Sequence, residues 1–430
     1  VSVRDQYHPQ HRVRNQHRGS IRATCRKRAR TRYKSRPDDA VRKRNELLNS
    51  SYERRLSSAC SMVYTNYLAG IRTQQPVSHG WRKMEQPKRS LTDLGAQIDE
   101  WLRKQNDFVN ADQFAGILRT LLRLAKDNAE RGDLKILNRT LQELRRAFAI
   151  FAPYRHVRKV SIFGSTRVPE SDPYYHLARS VARELTQAEF MVITGAGPGI
   201  MQAGHEGAGR ERSFGVNIRL PSVQDAKPFI RNDPKLMNFH FFFTRKLMFV
   251  KEADAVVIFP GGFGTHDELM ESITLAQTGK TRLVPIILVD LPDGTYWSRW
   301  QEFLRDDVMS RGYINEREMT FFRIRTDAEA VVREIVNFYR NFHSYRFVKH
   351  DLVIRLNYPP SPELIGRLNR EFADIVSGGK VRQSERFAPE PNDAGTLHVH
   401  RLVMRFNRED YARLRQMIDV INEADLASQV

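Results

Sequence analysis

The sequence predicts an α/β protein: a Rossmann-like doubly wound parallel sheet with an N-terminal helical module and a small C-terminal α+β module. Three observations predict it. Between Lys159 and about Tyr339, short runs of β-branched and aromatic residues alternate with amphipathic stretches, as strands and covering helices do in a parallel sheet. Two glycine-rich turns, Thr194-Gly195-Ala196-Gly197-Pro198-Gly199 and Pro260-Gly261-Gly262-Phe263-Gly264-Thr265, each join such a run to a helical stretch. The 430 residues exceed one ordinary domain and leave room for flanking modules.

Taken in order, residues 1–83 are expected to be a basic leader, disordered or non-native. They hold 20 of the 70 Lys and Arg but 5 of the 50 Asp and Glu, so fifteen of the twenty net positive charges sit there. Three readings of this stretch stand side by side: an arm for RNA or DNA, a solvated tail, or upstream sequence ahead of a natural start at Met84. Without aromatic or motif context the nucleic-acid reading is the weakest.

Residues 84–155 form the helical module. Leu91, Leu94, Ile98, Trp101 and Leu102 recur at spacings of three and four, as do Ile117, Leu121 and Leu124, then Ile136, Leu137, Leu141 and Leu144. Breaks are expected near Asn110 and Gly132, and the apolar residues should dock the module on the next domain. Residues 156–345 form the Rossmann-like domain, with strands expected at Val160–Phe163, Phe190–Thr194, Ser213–Ile218, Phe239–Phe242, Ala255–Phe259 and Val284–Val289. Helices are expected at Tyr174–Gln187 and Thr265–Thr278. Residues 346–430 form an accessory α+β domain with strands at Leu352–Asn357 and Thr396–Phe406 and helices at Pro362–Ile375 and Arg408–Ile421.

Several function classes lose support early. Cys25 and Cys60 both lie in the leader, so the rest of the chain offers no disulfide, zinc thiolate or cysteine nucleophile. No apolar run approaches the roughly 20 residues that span a bilayer, and a soluble, cytoplasmic protein is expected. A dinucleotide fingerprint would need glycine where Ile200 stands, and a P-loop would need Gly-Lys-Ser/Thr where Gly264 is followed by Thr265 and His266. His398 and His400 alternate on an expected strand, but two histidines lack a third metal ligand, and no metal site is expected.

In open parallel sheets ligands sit at the carboxyl ends of strands. Three strand-to-helix turns qualify: Phe163-Gly164-Ser165-Thr166 and the two glycine turns. Glycines there let backbone N–H groups converge on an anion at a helix N-terminus, which implies a small phosphorylated ligand held by Ser165, Gly195, Gly197, Gly199, Gly261, Gly262, Gly264 and Thr265. Glu268 lies one turn into the following helix. It serves either the helix dipole or chemistry at a ribosyl centre, where a carboxylate stabilises an oxocarbenium-like state and activates water. Arg245 and Lys246, at the end of one expected strand and the start of a helix, could pair with phosphate or with Glu268. The aromatic stretch Phe239, Phe241, Phe242 and Phe243 is read as a buried strand, with base stacking as the sharper alternative.

These motifs resemble the LOG ("lonely guy") family of cytokinin-activating phosphoribohydrolases, long mislabelled as lysine decarboxylases. Pro260, Gly261, Gly262, Gly264, Thr265 and Glu268 meet the family pattern P-G-G-x-G-T-x-x-E in full, Arg245-Lys246 meets its R-K element, and Gly195 to Met201 looks like its earlier glycine loop. The resemblance runs from about Val157 to Tyr339. It implies hydrolysis of a nucleoside 5'-monophosphate such as AMP or a cytokinin riboside monophosphate to base and ribose 5-phosphate. Arg245 and Glu268 would be the catalytic pair, no cofactor would be needed, and a homodimer or higher homo-oligomer would form. The flanking segments look more like those of the long bacterial nucleotide 5'-monophosphate nucleosidases. The competing expectation is a non-catalytic nucleotide or molybdenum-cofactor carrier on a related fold.

Overall fold

The structure is a computed structural model that describes residues 91–104, 110–219, 229–384 and 398–424. The basic leader, Met84 and both cysteines lie outside the described residues. Everything below concerns the compact unit Leu91–Val430.

Three helices come first: α1 (Leu91–Lys104), α2 (Ala111–Lys126) and α3 (Arg131–Phe151). Asn110, in the left-handed region (φ 63°), makes the first break as expected. The second falls at residues 127–130, ahead of Gly132, which sits in the first turn of α3. The expected docking is confined to the end of α3. Ala147 and Phe151 are buried, and Phe151 stacks on Phe214 at 4.5 Å. Phe114, Ile117 and Leu121 on α2, and Leu134, Ile136 and Leu141 on α3, remain substantially exposed.

Seven strands follow: β1 (Lys159–Phe163), β2 (Met191–Thr194), β3 (Ser213–Ile218), β4 (Leu236–Phe239), β5 (Ala255–Ile258), β6 (Ile286–Val289) and β7 (Phe322–Arg325). They form one parallel sheet in the order β4-β3-β2-β1-β5-β6-β7. The order reverses between β1 and β5, so the ligand crevice of a doubly wound sheet belongs at the carboxyl ends of those two strands.

Side-chain alternation divides the core into two layers. Val160, Ile162, Val192, Val257 and Ile287 pack on one face against α4 (Pro173–Gln187), α5 (Ile200–Ala208) and α9 (Ala328–Phe338). Ile193, Phe214, Ile258 and Leu288 pack on the other against α3, α6 (Phe242–Glu252), α7 (Phe263–Gln277) and α8 (Tyr296–Phe303).

Two sequence expectations need correction. The strand expected at Phe239–Phe242 ends at Phe239, because its pairing with β3 stops at Ile218↔Phe239, and α6 starts at Phe242. Phe239 is buried, whereas Phe242 and Phe243 lie half-exposed on the helix. The strand β7, an edge strand carrying Arg323 and Arg325, had too polar a pattern to be foreseen.

The C-terminal part has strands β8 (Phe342–Val348), β9 (Asp351–Leu356), β10 (Val376–Ser384) and β11 (His400–Phe406), in the antiparallel order β10-β11-β9-β8. Helices α10 (Pro362–Glu371) and α11 (Tyr411–Glu423) accompany them. Of the strands, β8 and β10 were not expected. Residues 396–397 of the expected last strand lie outside the described residues. Leu352, Ile354, Leu402 and Met404 share one core with Ala276 of α7, Leu283 and Phe338 of α9, so this sheet is built onto the larger one by apolar burial.

Candidate active site

The turns after β1, β2 and β5 meet at the switch point and are bonded to one another. Ser165 N–H donates to Pro260 O at 3.0 Å, and Ile200 N–H donates to Ser165 O at 3.1 Å. Gly199 (φ 66°) is in a conformation that side chains rarely adopt, and a Cβ there would strike the Ser165 carbonyl. Thus Ser165, Gly197, Gly199, Gly261 and Thr265 are brought into one cluster. Gly262 and Gly264 face open space, with no atom within 4 Å of a would-be Cβ. They leave the backbone at the start of α7 approachable by a ligand, at the positive end of the helix dipole.

From α6 comes Arg245. Its Nε donates to Val216 O at 2.9 Å, its guanidinium lies 5.2 Å from the Phe249 ring centre, and a Cβ on Gly195 would collide with it. Close approach to Arg245 is therefore what Gly195 allows. Burial lowers the Arg245 pKa, and the charge of Glu268 partly offsets this. Helix α7 starts at Phe263, two residues earlier than expected, so Glu268 lies in its second turn. Glu268 is 7% exposed. Burial pushes its pKa up to about 7, against the downward pull of Arg245 and Lys246. Lys246 ties α6 to α7 through Asp267 (2.9 Å) and Glu271 (2.8 Å).

Sequence reasoning missed the residues that brace these loops. Thr194 Oγ1 accepts from Ala196 N–H at 3.0 Å and pairs with His205 Nε2 at 2.8 Å, beneath the first glycine loop. His205 is 1% exposed, and burial lowers its pKa to about 4, so the ring is neutral. Tyr296 donates its hydroxyl to Gly261 O at 2.6 Å. Asp290 receives the Tyr174 hydroxyl (2.5 Å) and the Trp297 N–H (3.0 Å), which fixes the helix that carries Tyr296. No local motif marks any of them, although a threonine ending a buried strand ahead of a glycine turn is a usable signal for Thr194.

Two cavities lie elsewhere: one of about 640 Å³ beside Arg323 and Gln416, and one of about 510 Å³ near Lys159. At the second, the buried Lys159 ammonium donates to Tyr154 O and Val157 O, both at 2.8 Å, a structural use of the amino-end edge of the sheet. Among the described residues there is no cluster of His, Cys, Asp or Glu suited to a metal ion and no helix long and apolar enough to cross a membrane.

A doubly wound α/β protein with an open glycine turn at a helix N-terminus and a buried acid on that helix is what the fold and the site define. Residues 199–335 match the family described as "Possible lysine decarboxylase". A cytokinin riboside 5'-monophosphate phosphoribohydrolase of Arabidopsis thaliana is 26% identical over 48% of this chain and 94% of its own length. The pyrimidine/purine nucleotide 5'-monophosphate nucleosidase of Escherichia coli K12 is 30% identical over 54% of this chain, but the match spans 58% of that protein. Among solved structures, the molybdenum cofactor carrier protein of Chlamydomonas reinhardtii is 13% identical over 42% of this chain and 98% of its own, with a TM-score of 0.30. The chain is thus similar to these phosphoribohydrolases and nucleosidases over about half of its length.

Proposed function

We propose that the protein is a phosphoribohydrolase that cleaves the N-glycosidic bond of nucleoside 5'-monophosphates, releasing free base and ribose 5-phosphate. One observation carries this reading: a buried carboxylate, with its pKa raised to about 7, on the helix whose N-terminus the Gly262–Gly264 backbone leaves open. A pKa near the working pH is what a group that shuttles a proton needs. The names of the relatives support the same reading.

The phosphate would sit on the backbone of Gly261–Thr265 and Gly197–Gly199 with Ser165, and Arg245 would hold the ribose phosphate from the side of the first glycine loop. Ionised Glu268 would stabilise the positive charge that develops on the ribose ring as the C1'–N bond breaks. It would also take a proton from water as the water oxygen bonds to C1', and that proton would pass on to the departing base nitrogen as the C1'–N electron pair leaves with it. Lys246, held between Asp267 and Glu271, would keep α6 and α7 in register. A carrier has no use for a carboxylate placed at such cost beside an anion site.

The test is incubation with AMP, GMP, IMP, CMP, UMP and a cytokinin riboside monophosphate, with free base and ribose 5-phosphate followed by chromatography. Base release from at least one is expected. Nucleotide binding without release from any would overturn the enzymatic reading in favour of a carrier.

Self-association belongs to the same proposal. Phe242, Phe243 and Leu247 on α6, with Phe263 and Met270 on α7, leave apolar side chains exposed on the two helices that carry Arg245 and Glu268. Light scattering should give a mass of at least twice 50.0 kDa. A value near the single-chain mass would remove this part. A cytoplasmic setting goes with this substrate class.

A further inference from the structure

The first turn of α6 is unusual in how it is held. Its N-cap residue, Phe241, supplies no side-chain hydrogen bond. The polar groups around that turn are met instead by a carboxylate from another helix, Glu143 of α3, which is 7% exposed. Glu143 Oε1 accepts from His240 N–H at 2.8 Å and pairs with His240 Nδ1 at 3.1 Å. Its Oε2 accepts from the Thr244 hydroxyl at 2.7 Å. Arg139, one turn back on α3, reaches the far ring nitrogen of His240 at 2.9 Å. A buried carboxylate is costly unless its lone pairs are filled, and here they are filled by groups immediately before and inside one helical turn. Its negative charge also lies at the positive end of that helix. The next residue after Thr244 is Arg245.

We infer that Glu143 is a positioning residue for the proposed reaction: it fixes the first turn of α6 and thereby the placement of the Arg245 guanidinium over the first glycine loop. The inference rests on the function proposed above. It gives the N-terminal helices a role in catalysis at a distance, since α3 meets the site through this carboxylate and not through a side chain in the cradle. Arg245 sits in a space with little tolerance, between Val216 O, Phe249 and the Cα of Gly195. A small shift of its helix would therefore move it off the ligand.

The test uses the full chain with Glu143→Ala, Glu143→Gln, Thr244→Val and the double variant Glu143→Ala/Thr244→Val. On a nucleoside monophosphate that the wild type cleaves, Glu143→Ala should lower kcat by about 10- to 100-fold, as a misplacement near 1 Å can do, with a smaller change in KM. Glu143→Gln should recover part of the loss, and the double variant should be no worse than Glu143→Ala. A kcat that is unchanged while only the melting temperature falls overturns the inference and leaves the function standing. Wild-type protein that cleaves nothing overturns the function. Hydrogen exchange then decides the geometric part without any turnover: amides 240–246 should exchange at least about tenfold faster in Glu143→Ala, and unchanged exchange there overturns it.

Discussion

The carboxyl ends of the parallel sheet and the C-terminal antiparallel sheet both bury charged and amide side chains, and they treat them in opposite ways. In the C-terminal part the buried Asn422 amide finds its partners within the fold. Asn422 accepts from the N–H groups of Asn341 and Phe342, both at 2.9 Å, and donates to Phe338 O at 2.6 Å. The buried Arg415 binds Asp419 at 2.8 Å. At the switch point Glu268 is buried with its pKa raised to about 7, and Arg245 gives Nε to a backbone carbonyl and stays poised beside the glycine loop. The first arrangement pairs protein groups with one another. The second leaves a carboxylate desolvated on the helix whose first turn is open at Gly262 and Gly264, a cost that natural proteins tolerate at working sites.

The largest effect that could break this contrast is on activity. Glu268→Gln should lower kcat on a cleaved nucleotide by roughly 10³-fold, because the amide neither accepts a proton nor balances the ribosyl cation. The wild-type rate should rise with pH through about 7, as Glu268 ionises. A Gln variant within a factor of a few of wild type would place the chemistry elsewhere.

Next comes stability in the other region. Asn422→Ala strips partners from two buried N–H groups and a carbonyl and should cost about 2–4 kcal/mol in denaturant unfolding, with kcat unchanged below the transition. A marginal loss would mean that the amide network contributes little, and the contrast would weaken.

The smallest effect is the sharpest in sign. Because the folded-state pKa of Glu268 lies above its ordinary value of 4.5, the fold binds that proton more tightly than the unfolded chain. The associated stability is present below about pH 4.5 and is lost as pH rises through 7. Glu268→Gln should therefore melt higher than wild type at pH 8, by on the order of a few degrees, with little difference at pH 5. A variant that melts lower at pH 8 would show that the ionised carboxylate is better satisfied than its burial implies.

Much of this was legible in the sequence, where local chemistry and tertiary demand agree. Ala255–Ile258 reads as a strand and is one, because a buried parallel strand is a continuous apolar run. The glycine turns were legible because Gly195, Gly197, Gly199 and Gly261 stand where a side chain would collide. Where local preference and context disagreed, context won. Phe241, Phe242 and Phe243 favour a strand by propensity, yet they stand at the start of a helix, where the pairing with the neighbouring strand has ended and Glu143 receives the Thr244 hydroxyl and the His240 N–H. The strands β8 and β10, with Arg346, Lys380 and Arg382 in them, carried too polar a pattern to stand out.

By itself the sequence determined the class of fold, the order of its loops and the residue types available for chemistry, since periodicity and glycine placement are properties of the chain. Only the tertiary structure decided that three loops far apart along the chain meet at one reversal of strand order. It also decided that Glu268 loses water enough to titrate near neutrality, and that a helix outside the sheet holds the turn before Arg245. Desolvation, and hydrogen bonds between distant segments, depend on what surrounds a residue in space, and that surrounding exists only once the chain has folded.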